Sequence, residues 1–218
     1  MVDIDNRTNK ILLSFDQFSK EFLPGYRLID IFPSYFSFHS TNQKNKESIK
    51  AYTHKLDNIV FLTLADPKSV VVVSDASIKN QIAISIAHIH VHDSPLIKTI
   101  HHAINISFTE VELFTIRCDI NQATYIPNIS YIIIITDSIH VTKRIFNSFS
   151  HPFQIHALLI SSELWDFFAK ESNNSIEFWD CLNCCKWSLY NAVDKETKKF
   201  ERGVTTTDLL FFNITLIG

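Results

Sequence analysis

Two β-branched runs, each closed by an acid, constrain this chain more than any other feature. They are "SVVVVSDAS", residues 69–77, and "YIIIITDSIHV", residues 131–141. Val and Ile are stiff at χ1 and pack well on a pleated surface, so both runs favour strand. A continuous apolar run suits a strand covered on both faces, whereas a strand with one wet face alternates. Such strands need other elements above and below them, which points to a layered α/β domain. The isoleucine run is far too short to cross a bilayer.

The rest of the chain supplies those layers. "QIAISIAHIHVH", 81–92, alternates as an antiparallel strand does, and places His88, His90 and His92 together on a face expected to meet solvent. Asp93-Ser94-Pro95 is a turn, and "IKTIHHAINIS", 97–107, reads as a third strand. The period then changes: in "FTEVELFTIRCDINQATYI", Leu113, Ile116, Ile120 and Ala123 form one helical stripe. After the isoleucine strand, "DSIHVTKRIFNSF" reads as a short helix and "HALLISSELWDFFAKES", 156–172, as a longer one. "SIEFWDCL" is a fifth strand, and "KWSLYNAVDKETKKFE" a closing helix. The order predicts a five-stranded mixed sheet, β-β-β-α-β-α-β-α, with helices on both faces. Residues 1–66 read as an extension and linker of unknown role, 67–203 as the main domain, and 204–218 as a C-terminal tail.

Composition narrows the function. The chain is 46% hydrophobic and 20% charged, with three glycines, which argues against disorder. A net charge of −3 shows no basic footprint of a free-standing nucleic-acid binder. Cys118, Cys181, Cys184 and Cys185 do not make a disulfide framework, and an intracellular protein of cytoplasm or nucleus is expected. "CLNCC" has Cys-x-x-Cys spacing but lacks the second ligand pair that zinc requires. No glycine-rich phosphate loop is present, and no serine sits in a nucleophile elbow.

The acids are what remains. In open α/β sheets, ligands bind beyond the carboxyl ends of the strands, and Asp75 and Asp137 end two strands there. Glu112 lies in the first turn of the first helix, beside its apolar stripe, and Asp194 lies within the last helix. Gathered carboxylates repel one another, and a divalent cation is the usual remedy. Two such cations activate a water and stabilise a leaving oxygen in an in-line displacement. Each acid also has a plainer role. Asp137 suits a helix N-cap, Thr109-x-x-Glu112 fits a capping box, Asp75 suits a turn, and Asp194 a solvated helix surface.

From about Ser69 to Glu201 the chain resembles a type 1 ribonuclease H domain, most nearly those of fungal retroelement polyproteins. The likeness is carried, in order, by "VVVSDAS", "TEVELFTI", "IIITDSIHV" and "IEFWDCL…AVDKET". It implies the ribonuclease H-like fold and Mg²⁺-dependent hydrolysis of the RNA strand of an RNA–DNA hybrid, with Mn²⁺ as a substitute. It also implies a fused or associated reverse transcriptase. Residue by residue it assigns Asp75, Glu112, Asp137 and Asp194 as the catalytic, metal-holding acids, with Glu110 the rival to Glu112 and Asp180 the rival to Asp194. The glycine that usually follows the first acid is Ala76 here, and the family's substrate-touching amides fall at Phe108, Thr109 and Ile139. A second reading from the same residues is a non-catalytic descendant that serves as a binding module, and a third keeps the metals but changes the substrate.

Overall fold

The computed structural model describes residues 35–39, 49–79, 82–104, 108–138, 155–181 and 186–203. The two β-branched runs form the centre of the sheet. Strand β2 (Ser69–Lys79) and strand β5 (Tyr131–Thr136) pair in parallel, Val70 to Ile132 through Val73 to Ile135. All eight of those side chains are buried, which explains why neither run alternates. The antiparallel strands β3 (Ile82–Val91) and β4 (Ile97–Ile104) extend the sheet on one side. Strand β6 (Ser175–Asp180) runs parallel to β5 on the other side.

A sixth strand corrects the predicted count of five. Strand β1 (Phe36–His39) lies parallel to β6 at the sheet edge, giving the order β1-β6-β5-β2-β3-β4. It comes from the Phe-rich stretch read as extension, and a four-residue edge strand leaves too short a pattern for periodicity to register. Helix α1 (Ile49–Leu64) comes from the same region and packs on β2 through Tyr52, Leu56 and Val60.

Helices cover both faces, as predicted. Helix α2 (Phe108–Tyr125) and helix α3 (Ile155–Lys170) close one core, where Ile116, Ile120, Leu164 and Phe167 meet Val70, Val72, Ile132 and Ile134. On the other face α1 and helix α4 (Ser188–Gly203) meet Val71, Val73, Ile133 and Ile135. Each fully buried aliphatic side chain contributes about 1.5–3 kcal/mol, so the central strand pair is the most firmly held part of the molecule. The short helix read in "DSIHVTKRIFNSF" lies outside the described residues beyond Ser138.

Candidate active site

Asp75 and Asp137 come together because of strand register. The parallel pairing ends at Val73 and Ile135; two residues further on come Asp75, still within β2, and Asp137, just past the end of β5, on the side that α4 covers. That end of the sheet is pinned: the Cys181 amide donates to the Thr136 carbonyl at 2.9 Å, and the Ser138 amide to Thr136 Oγ1 at 3.1 Å. Helix α4 crosses this edge and adds Asp194. The three acids line one cleft of about 330 Å³, together with Ala76, Tyr190, Thr197 and Lys198.

Glu112 belongs to the same electrostatic neighbourhood although it stands on α2. Burial pushes its carboxyl up to about 7, with Asp137 and then Asp75 adding to the rise. Its Oε2 is buried and has no hydrogen-bond partner. Asp75 is pushed up to about 6, first by burial and then by Asp137, with a smaller push from Asp194, while the Tyr190 hydroxyl opposes the rise. Asp137 and Asp75 thus act on Glu112, and Asp137 and Asp194 on Asp75, although Glu112 does not itself line the cleft.

The two rivals sit elsewhere. Asp180 is buried in β6 opposite Thr136, its main-chain carbonyl accepts from the Tyr52 hydroxyl, and it does not line the cleft. Glu110 lies in the first turn of α2 and also does not line it. Of the family's substrate-touching positions, Ile139 and the side chains of Phe108 and Thr109 lie outside the described residues, as do Cys184 and Cys185; Cys181 is a buried core residue.

The chain supplies its own donors to these acids. The Tyr190 hydroxyl donates to Asp75 Oδ1 at 3.0 Å, and Lys198 Nζ sits 2.6 Å and 2.7 Å from the two oxygens of Asp194. Sequence reading missed Tyr190. The available signal was its spacing, since four residues before Asp194 is the same face of the helix.

The histidines correct another expectation. His88 does not face solvent: it is 4% exposed, and its Nε2 lies 3.1 Å from Glu196 Oε2 on α4, whose Oε1 takes Lys98 Nζ at 2.6 Å. Strand alternation fixes which side chains share a face, but not whether a helix will cover that face. Here α4 covers it.

As for a cation, among the described residues no group of three or more His, Cys, Asp or Glu side chains stands arranged to hold one. The donor chemistry nevertheless suits a hard cation. It is all oxygen: Asp75, Asp137 and Asp194 face an open cleft with room for water, and Glu112 nearby has an orphaned, buried Oε2.

No family model matches the sequence, and no curated protein matches it. Solved structures do resemble the chain. The N-terminal RNase H domain of a Mycobacterium tuberculosis protein, fused to maltose-binding protein, aligns at 13% identity and a TM-score of 0.43 over 55% of this chain and 92% of that one. RNase H1 from Halobacterium salinarum aligns at 12% identity and a TM-score of 0.43 over 59% of this chain and 98% of that one. The protease–reverse transcriptase of prototype foamy virus aligns at 13% identity and a TM-score of 0.46, covering 64% of this chain and 22% of the viral one.

Proposed function

We propose that this chain is a metal-dependent endonuclease that cuts the RNA strand of RNA–DNA hybrids, an RNase H domain of retroelement origin that works beside a reverse transcriptase. One observation supports this above all. Asp75, Asp137 and Asp194 come from three separate elements and line one cleft at the carboxyl ends of the central parallel strands, with Glu112 in their electrostatic field. Structural acids would have no reason to assemble at a cost in burial and mutual repulsion.

In this reading Asp75 and Asp137 would hold both Mg²⁺ ions, Glu112 would help hold the ion that stabilises the leaving oxygen, and Asp194 the ion that activates water. When bound, the ions would supply activation of water and stabilisation of the leaving oxygen. The protein's part is to fix the oxygens rigidly on strand ends and to keep the cleft open to a sugar–phosphate backbone. Hybrid affinity would come largely from outside the cleft, given the overall charge of −3.

A second reading has its own support. Asp75 and Asp194 are already satisfied by Tyr190 and Lys198, as they would be in a binding module that has lost its metals. Labelled RNA–DNA hybrid incubated with the full chain in Mg²⁺ or Mn²⁺ separates the two. Cleavage that Asp137→Asn abolishes supports the nuclease, whereas binding of the hybrid without cleavage, equal in both proteins, supports the module.

A further inference from the structure

Tyr190 is an uncharged donor among the cleft acids, as is Ser138, whose hydroxyl donates to Asp137 Oδ1 at 3.4 Å. The Tyr190 hydroxyl donates to Asp75 Oδ1 at 3.0 Å, and Asp137 lines the same cleft. The ring is 3% exposed and packs in the core beneath α4. The hydroxyl is thus held from below, while Asp194, one turn further along the helix, reaches the same cleft.

Two like charges on neighbouring strand ends repel, so a donor that fixes one of them steadies the pair. A carboxylate offers about four lone-pair sites, so one hydrogen bond to Oδ1 leaves the others available. Carboxylates that ligate metals are commonly oriented in this way by a second layer of donors.

We propose that Tyr190 is a positioning residue: its hydroxyl holds Asp75 in place beside Asp137, turned toward the position that a shared divalent cation would occupy. This rests on the nuclease reading above and deepens it. Lys198, by contrast, pairs with Asp194 from the exposed side of α4, with half of its side chain in solvent.

The test is Mn²⁺ binding by titration calorimetry to the full wild-type chain and to Tyr190→Phe, which keeps the ring in the core and removes only the oxygen. Circular dichroism and thermal melts establish that both are folded. Tyr190→Phe is expected to bind Mn²⁺ about 10–100-fold more weakly, to lose cleavage at low Mn²⁺, and to regain it at high Mn²⁺ with an unchanged KM for hybrid. Equal affinity in the two proteins, or tighter binding by Tyr190→Phe, overturns the positioning role and leaves the nuclease reading standing. A wild type that takes up no Mn²⁺ at all overturns both.

Discussion

Asp137→Asn is expected to stabilise the protein at neutral pH while ending its activity. Asp75 is lifted from 3.8 to about 6 in the fold, which costs its ionised form about 3 kcal/mol. Burial is the largest cause and Asp137 the second. The share due to Asp137 is therefore smaller than that of burial, about 1 kcal/mol on the same scale. Glu112 feels Asp137 as its strongest neighbouring charge, but it is more open to solvent and adds less after screening. The sign follows from proton counting. Between pH 3.8 and 6 the folded chain keeps a proton on Asp75 that the unfolded chain has released, so stability falls as pH rises through that window. Above it the full cost is present, and removing the Asp137 charge relieves part of that cost. In a domain of this size about 1 kcal/mol corresponds to roughly 2–4 °C in Tm. Thermal melts of the two proteins at pH 8 and pH 5 test this. Asp137→Asn should melt higher at pH 8, with the gap shrinking at pH 5. A variant less stable than wild type at pH 8, or an equal gap at both values, would refute the repulsion that defines the cleft.

Two further outcomes follow from residues outside the cleft. Asp119 is fully buried beneath Ser74, whose hydroxyl donates to it at 2.5 Å, and burial pushes its carboxyl up to about 8. Stability should therefore fall as pH rises from 3.8 toward 8, and Asp119→Asn, which can still accept from Ser74, should flatten the curve in urea unfolding at several pH values. Asp57→Ala removes the acceptor of the Trp187 indole N–H, 2.7 Å away. The indole is 2% exposed, so the orphaned donor should cost about 1–3 kcal/mol in urea unfolding, with no direct effect on the cleft acids.

Much of the fold was legible because the two central strands carry unbroken β-branched runs that only a doubly covered strand explains. Asp75 and Asp137 were legible for the same reason, since a rigid run fixes where its terminal acid must lie. Other features depend on contacts between distant segments and leave no local trace. The pairing of β1 with β6 joins residues about 140 positions apart in sequence. The role of α1 shows only when Tyr52 is seen to meet the Asp180 carbonyl and Asp57 the Trp187 indole, beside the start of the helix that carries Asp194. His88 alternates as a wet-face residue would, yet Glu196 on α4 closes over it. The choice between Asp194 and Asp180 was open in the sequence because both follow "SIEFW" within one motif; in the fold, only Asp194 lines the cleft.

That difference gives the most direct test of the central claim, that the three acids lining this cleft and Glu112 beside them form a hydrolytic centre. A hybrid with each strand separately labelled is incubated with the full chain in Mg²⁺, beside Asp75→Asn, Glu112→Gln, Asp194→Asn and Asp180→Asn. The expected result is cleavage of the RNA strand alone, stopped by chelator and by the first three substitutions, and retained by folded Asp180→Asn. No cleavage by the wild type, or cleavage that survives loss of Asp75, would contradict it.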